Sequence, residues 1–216
     1  ADGDMSLSLR LTPAKPLVLK GDRGLSQKGP EPGNASYYYS YTRLETEGFV
    51  SVEGVEVPVQ GLAWMDREWG TSALSQGQVG WDWFALQLSD GRDLMYYQLR
   101  QEDGSADPLS KGVLVDPVGN ARLLSSEMVR LNVRDRWRSP VDGAEYPSGW
   151  RLEVPDAGIE LEVTPLLPDQ ELDAESTYDI TAWSLAYAYG VETHTVTAEP
   201  GVLLSHLREC IRTRTF

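Results

Sequence analysis

The amino-acid sequence predicts an all-β protein in which short antiparallel strands form a β-barrel or a β-sandwich. Short segments with alternating or continuous apolar character recur along the chain, and 20 glycines and 13 prolines punctuate them. Only residues 202–212 carry apolar side chains at helical spacing. Many short strands at regular spacing favour this architecture over a parallel α/β fold. The length of 216 residues allows one large β domain or two small ones.

The first predicted elements are a strand and a long loop. Leu7, Leu9 and Leu11 alternate with polar residues, which predicts a strand with one buried face. Eight glycine and proline residues lie between positions 13 and 33 and predict an irregular loop over this range. A loop of this length in a compact domain is usually functional or connects two domains.

A tyrosine-rich strand is predicted at residues 35–44. Because side chains alternate along a strand, Tyr37, Tyr39 and Tyr41 share one face and Tyr38 lies on the other. The strand therefore offers a row of phenol rings to whatever covers it.

Two hairpins are predicted from turn dipeptides. Glu53-Gly54 separates residues 49–53 from 55–59, and Asp90-Gly91 separates residues 80–88 from 93–100. A two-residue turn at Asp90-Gly91 assigns one face of the second hairpin to Phe84, Leu86, Leu88, Met95, Tyr97 and Leu99, and the other to Trp81, Trp83, Ala85, Leu94 and Tyr96. Both faces are apolar, so we expect this hairpin to be covered on both sides, as in a barrel packed on a neighbouring layer.

The remaining elements are short strands and one helix. The strands are predicted at residues 112–115, 121–124, 128–135, 150–154, 159–163, 178–189 and 191–198, and the amphipathic helix at residues 202–212.

Composition excludes several classes of function. With 33 acidic and 19 basic residues the net charge is −14, which disfavours nucleic acid and anionic lipid as partners. No apolar run approaches the ~20 residues of a membrane-spanning helix. One cysteine and two histidines cannot build a common zinc site, and no calcium-binding loop is present. We therefore predict no metal site of these types, while a carboxylate-rich metal site stays open.

The stretch from Gly61 to Gly70 is the strongest candidate for chemistry. In an extended conformation it places Trp64, Asp66 and Glu68 on one face and Met65, Arg67 and Trp69 on the other. A carboxyl that is desolvated by indole has a raised pKa, which suits a general acid. The alternative is a structural strand in which Arg67 and another basic side chain neutralise both carboxylates.

Several motifs in this order resemble the AttH/carotenoid 1,2-hydratase (hydroxyneurosporene synthase)-like lipocalin family, often labelled "predicted secreted hydrolase". They are Gly24-Leu25-Ser26-Gln27-Lys28-Gly29, Ala35-Ser36-Tyr37-Tyr38-Tyr39-Ser40, Trp64-Met65-Asp66-Arg67-Glu68-Trp69-Gly70, Gly80-Trp81-Asp82-Trp83-Phe84, Trp137-Arg138-Ser139-Pro140 and Pro165-Leu166-Leu167-Pro168-Asp169-Gln170-Glu171. The likeness covers roughly residues 7 to 178.

This resemblance implies lipocalin-like antiparallel β-barrels, here with a short C-terminal helix, around a cavity for a lipophilic small molecule. Family members carry a long segment before the point where this chain begins. We therefore expect residues 1–33 to be the remnant of a first barrel plus a connecting loop, residues 34–200 to form a lipocalin-like barrel, and residues 201–216 to form a helical tail. The resemblance also implies a periplasmic or secreted protein that is not integral to a membrane.

The predicted site combines acids with aromatic walls. Asp66 and Glu68 are the candidate catalytic residues, and the candidate ligand-binding residues are Tyr37, Tyr39, Trp64, Trp69, Trp81, Trp83 and Tyr97. Alkene hydration needs an acid to protonate the double bond, a positioned water, and aromatic faces that stabilise the cation. Because tryptophan is usually highly buried, simple core packing is favoured for Trp81 and Trp83.

Two classes of function follow from these residues. The first is a cofactor-free hydratase- or hydrolase-like enzyme acting on a lipophilic small molecule, and the second is a non-catalytic lipocalin-like carrier of a hydrophobic ligand. A scaffold that needs a missing N-terminal segment is a third. Hydrolysis by a Cys210–His206 pair is disfavoured, because a helix surface offers no oxyanion hole. Lys28 and Asn34 are candidates for a polar gate.

Overall fold

A computed structural model describes residues 5–70, 74–166, 171–173, 181–183 and 188–191 of the protein. The chain divides into two compact units, Ala1–Glu127 and Met128–Phe216. This division differs from the domain boundary predicted at 33/34, because the strands before that position pair with the strand after it. The boundary predicted at 200/201 and the helix predicted at 202–212 lie outside the described residues. No helix in the described part of the chain is long and apolar enough to cross a membrane.

The first sheet of the N-terminal unit is organised around one long strand. Its members are β1 (Met5–Pro13), β2 (Val18–Leu19), β3 (Leu25–Gln27), β4 (Ala35–Val52) and β5 (Val55–Gly70). All four other strands pair antiparallel with β4. The turn between β4 and β5 is Glu53-Gly54, with φ of 50° and 79°. Positive φ at both central positions is the geometry of a type I′ hairpin, so this predicted hairpin is confirmed.

Two predictions for this sheet are corrected by the structure. The range 13–33 is not an irregular loop throughout, because β2 and β3 lie within it and pair with β4. The strand at β1 exists, but Leu7, Leu9 and Leu11 remain 41–48% exposed. The second half of β4, with which β1 pairs, lacks the regular buried alternation of its first half, so no core layer covers these leucines.

The second sheet of the N-terminal unit is a four-stranded meander. It contains β6 (Gln78–Gln87), β7 (Asp93–Gln101), β8 (Lys111–Val115) and β9 (Ala121–Ser125) in sequential order. Buried side chains occur on both faces of β7, as Leu94 and Tyr96 alternate with Met95 and Tyr97. The prediction that this hairpin is covered on both sides is confirmed for β7 only, because Val79, Trp81 and Trp83 leave one face of β6 43–54% exposed.

The predicted faces of this hairpin were wrong by one residue. Its turn is a three-residue loop, because the Leu88 amide donates to the Arg92 carbonyl and Gly91 adopts a φ of 85°. Trp83 therefore lies opposite Tyr97. A shift of one residue moves every side chain to the other face, so Trp81 and Trp83 share a face with Tyr97 and Leu99.

A core cluster and a buried ion pair connect the two sheets of this unit. The cluster consists of Val18, Tyr38, Met95, Tyr97, Leu99, Val113 and Val115, with Trp64 and Leu109 packed against it. Beside it, the carboxylate of Asp93 lies 2.7 Å from Lys15 Nζ and 2.7 Å from Arg43 Nη2, and Thr42 Oγ1 donates to it at 2.8 Å. Because Asp93 is fully buried, these charged partners are needed to offset its desolvation.

The C-terminal unit is also built from antiparallel strands. They are β10 (Arg130–Arg138), β11 (Glu145–Val154), β12 (Ile159–Pro165), β13 (Glu171–Asp173), β14 (Thr181–Trp183) and β15 (Ala188–Val191). One sheet has the order β10-β11-β12-β15, and β13 pairs with β14. Leu152, Val154, Ile159, Leu161 and Val163 form its buried apolar face.

The all-β prediction is confirmed. Every strand pair in the described ranges is antiparallel, and the helical residues in the same ranges are two short 3₁₀ turns. The strand pairing in these ranges does not close any of the four sheets into a barrel.

Candidate functional site

The buried face of the β4–β5 hairpin carries a row of polar side chains. Ser40 lies opposite Asp66 and Tyr38 lies opposite Glu68. The Ser40 hydroxyl donates to Asp66 Oδ1, and the Ser36 hydroxyl donates to Glu68 Oε1. Asp66 and Glu68 therefore share one face, as the alternation of the strand predicted, and we call this the polar face.

Lys28 lies over the Glu68 end of the polar face. Its Nζ is 2.9 Å from Glu68 Oε1, 4.0 Å from the centroid of the Tyr97 ring and 5.4 Å from that of Tyr38. The backbone of Lys28 is fixed, because its amide donates to Asn34 and its carbonyl accepts from Gln78 Nε2. Glu68 is thus neutralised locally, and the gate role of Lys28 and Asn34 stays a prediction.

Two buried tyrosines and a tryptophan lie next to the carboxylates, with Tyr38 on the polar face itself. The Trp83 Nε1 donates to the Tyr38 hydroxyl at 3.1 Å, and the Tyr97 hydroxyl lies 3.1 Å from Ser26 Oγ. Burial raises the pKa of both tyrosines well above the ordinary value, and the negative charge of Asp66 raises the pKa of Tyr38 further. Both phenols therefore stay protonated at neutral pH.

Lys20 is a buried residue of this site that the sequence did not indicate. Its Nζ lies 5.5 Å from the Trp64 ring centroid and 5.9 Å from that of Tyr38. Desolvation lowers the pKa of Lys20 to about 8, although the charges of Asp66 and Asp93 oppose this. The sequence pattern gave little indication that Lys20 is buried, because Lys20 directly follows the two-residue strand β2 inside a range that glycine and proline predict to be a loop.

Three of the predicted ligand-binding residues lie on the opposite face of the hairpin. Tyr37 stacks on Trp69 with ring centroids 5.7 Å apart, and Tyr39 contacts the same indole edge-on at 6.0 Å. Tyr37 and Trp69 are each at least half exposed. The structure brings Trp64, Trp83 and Tyr97 to the polar face but does not bring these three rings there.

Trp81 and Trp83 do not pack as core residues. Their exposed fractions are 51% and 43%, so the preference for core packing is wrong. Trp83 reaches the polar face through Tyr38, whereas Trp81 lies on the same face of β6 and opposite Leu99. The ligand-binding role of Trp81 and Trp83 stays a prediction.

The ion-paired alternative for Asp66 and Glu68 holds for only one of them. Glu68 pairs with Lys28, whereas Asp66 accepts a hydrogen bond from Ser40 and interacts with the Lys20 charge at longer range. Arg67 makes no ion pair with either carboxylate in the described part of the structure. Within the same residues no three histidine, cysteine or acidic side chains converge as a metal site.

The fold and the site together define an all-β protein with carboxylates, phenols and indoles gathered at one partly covered sheet face. The chain belongs to the AttH-like family, whose sequence model matches residues 1–185. The resemblance found in the motifs is thereby confirmed.

Relatives of known structure or name support this assignment. A crystal structure of a Nitrosomonas europaea protein assigned as an AttH shares 38% identity and a TM-score of 0.75, covering 85% of this chain and 56% of that one. Kievitone hydratase from Fusarium solani subsp. phaseoli is 21% identical over 79% of this chain and 48% of its own length. Dehydratase asqC from Emericella nidulans is 24% identical over 65% of this chain and 40% of its own length. The chain thus spans less than half the length of these curated relatives.

Proposed function

We propose that this chain supports the reversible addition of water to a carbon–carbon double bond of a lipophilic small molecule. The observation that carries the proposal is the placement of the half-buried Asp66 on the polar face, where the Ser40 hydroxyl holds it and where Tyr38, which accepts a hydrogen bond from Trp83, lies on the neighbouring strand. The similarity to relatives named as a hydratase and a dehydratase supports the same class of reaction.

The reaction needs one acid and one base. In the hydration direction the protonated Asp66 carboxyl gives its proton to one alkene carbon, and the neighbouring carbon becomes a cation. A water oxygen adds to that cation and loses a proton to a carboxylate, which leaves an alcohol. Dehydration runs through the same steps in reverse, so that the alcohol loses water and the alkene forms.

The aromatic wall has a direct role in this scheme. A tertiary or allylic cation is stabilised by the faces of nearby indole and phenol rings, and the effect grows where water is excluded. Tyr38 is buried, and Trp64 packs against the core cluster beside it. Glu68 already carries a compensating cation, so Asp66 is the better candidate for proton transfer.

Exchange of oxygen with labelled water tests the proposal. The chain is incubated in H₂¹⁸O with three pairs of alkene and derived tertiary alcohol: a monoterpene pair, a sesquiterpene pair and a prenylated-phenol pair. Mass spectrometry then measures hydration of the alkene and ¹⁸O uptake by the alcohol. We expect both with at least one pair, and we expect Asp66→Asn to abolish them while leaving binding largely intact.

Two further variants make the result specific. Glu56→Gln removes a carboxylate from the exposed part of the same strand and is expected to leave exchange unchanged. Ser40→Ala keeps the Asp66 carboxylate but removes its donor, so it is expected to slow exchange by a smaller factor. Binding of the alcohols without any exchange would instead support the carrier, and loss of folding in Asp66→Asn would make Asp66 structural.

A further inference from the structure

Two buried hydrogen-bond donors of the site have no acceptor. Lys20 Nζ and Trp64 Nε1 make no hydrogen bond within the described residues, although both atoms are buried. Lys20 is 2% exposed, and its Nζ lies over the Trp64 ring. An unsatisfied buried donor is destabilising, and a charged one more so, which makes two neighbouring examples uncommon.

The position of Lys20 is fixed by its backbone. Its amide donates to the Tyr38 carbonyl at 3.0 Å, and its carbonyl accepts from the Gly24 amide at 2.9 Å. These bonds fix the Lys20 main chain beside β4, and its buried ammonium lies near the Trp64 and Tyr38 rings. Because the Lys20 ammonium has no acceptor among the described residues, we expect the acceptor to be supplied by a ligand.

The local charges indicate what that group is. Glu68 is matched by Lys28, so the remaining unmatched pair is the Lys20 ammonium and the Asp66 carboxylate. A carboxylate offers about four lone-pair sites, of which the Ser40 and Tyr38 hydroxyls use two on Asp66. Lys20 and Trp64 therefore provide unused donors beside the polar face, and Asp66 provides an acceptor on it. A hydroxyl group satisfies both, whereas an anion would be repelled by Asp66.

We propose that Lys20 Nζ and Trp64 Nε1 bind the oxygen of a ligand hydroxyl, or of the water that becomes it, while Asp66 accepts the proton of that hydroxyl. This inference rests on the proposed function and deepens it, because it assigns the subsite of the reacting oxygen. The ligand is then a lipophilic alcohol whose apolar body lies against Tyr38 and Trp83. Lys20 contacts the leaving or entering oxygen directly and is a further catalytic residue.

Binding measurements separate this subsite from turnover. Equilibrium dialysis compares each of three alcohols with its deoxygenated hydrocarbon and with its methyl ether: α-terpineol, a sesquiterpene tertiary alcohol and a hydroxylated prenylphenol. A hydrogen bond to a charged group stabilises binding, so we expect the preferred alcohol to bind about 10- to 100-fold more tightly than its hydrocarbon. The ether accepts but cannot donate, so its affinity is expected to fall between the two.

Variants then assign the preference to the named donors. Lys20→Met keeps the length of the side chain and removes the ammonium, and Trp64→Phe removes the indole N–H while keeping an aromatic ring. Both are expected to reduce the alcohol preference, Lys20→Met to near unity. Lys111→Met removes the same charge from a half-buried lysine of β8 and is expected to keep the preference.

The outcomes distinguish the two proposals. An alcohol preference that Lys20→Met removes, without ¹⁸O exchange, supports the subsite and contradicts the proposed reaction. Exchange that is unchanged in Lys20→Met overturns the subsite and leaves the proposed reaction standing. No preference for any alcohol in the wild-type chain, including no measurable binding, also overturns it. If Lys20→Met does not fold, an unchanged preference in Trp64→Phe decides against the inference.

Discussion

Replacing Lys20 by methionine is expected to stabilise the folded chain at neutral pH. Burial lowers the pKa of Lys20 from the ordinary lysine value of 10.5 to about 8, a difference that corresponds to about 3 kcal/mol against the charged lysine in the folded state. Methionine has a similar length and carries no charge to desolvate. The substitution also removes the two cation–π contacts of Lys20, and their loss reduces the expected stabilisation. We expect a net increase in unfolding free energy of about 1–3 kcal/mol at pH 7.

The pH dependence of this effect follows from proton binding. Between pH 8 and 10.5 the unfolded chain keeps the Lys20 proton while the folded chain loses it, so the destabilisation by Lys20 diminishes as pH rises. At pH 9.5 about 1 kcal/mol of it should remain. The difference in unfolding free energy between wild type and Lys20→Met should therefore narrow by about 2 kcal/mol from pH 7 to pH 9.5.

Urea unfolding followed by tryptophan fluorescence measures both quantities. Lys15→Met is the matched control, because Lys15 is equally buried but lies 2.7 Å from Asp93. Removing one partner of a buried ion pair usually costs about 3–5 kcal/mol, so this variant should be destabilised. If Lys20→Met is destabilised like Lys15→Met, or if its effect does not change with pH, Lys20 is satisfied in the folded chain and the reasoning fails.

Two further substitutions test the framework that holds the site. Asp93→Asn leaves the Lys15 and Arg43 charges without their carboxylate, and thermal unfolding should show a loss of about 3–5 kcal/mol, whereas a change within 1 kcal/mol would mean that the pair is solvated. Gly112→Ala places a Cβ 2.2 Å from the Met95 carbonyl oxygen, so β8 must shift away from β7; hydrogen exchange of the β7 amides should accelerate, and unchanged protection would contradict this packing.

Local patterns in the sequence were sufficient for several elements of the fold. The dipeptide Glu53-Gly54 specifies a type I′ turn because its two residues adopt positive φ, and that requirement is local. The alternation of Asp66 and Glu68 is a property of any extended chain, so their common face was predictable. The apolar residues on both faces of β7 likewise predicted burial on both sides, whereas the tryptophans of β6 did not predict the exposure of their face.

Other features depended on contacts that the sequence does not display. Asp90-Gly91 is compatible with a two-residue or a three-residue loop, and the choice between them decides whether Trp83 or Phe84 lies opposite Tyr97. The alternation of β4 separates Tyr37 from Tyr38 but does not say which side another sheet will cover. Lys20 follows a strand of two residues, which is too short to produce a recognisable period.

The sequence alone determined the antiparallel all-β class, the main hairpin and the AttH-like family, because turn geometry, side-chain alternation and ordered motifs are encoded in neighbouring residues. The tertiary structure decided which face of the β4–β5 hairpin is buried and that Lys28 rather than Arg67 neutralises Glu68. It also placed Lys20 beside Trp64 with no acceptor among the described residues. Burial and charge pairing arise when the two sheets of the N-terminal unit pack together. They depend on distances between residues that are far apart along the chain.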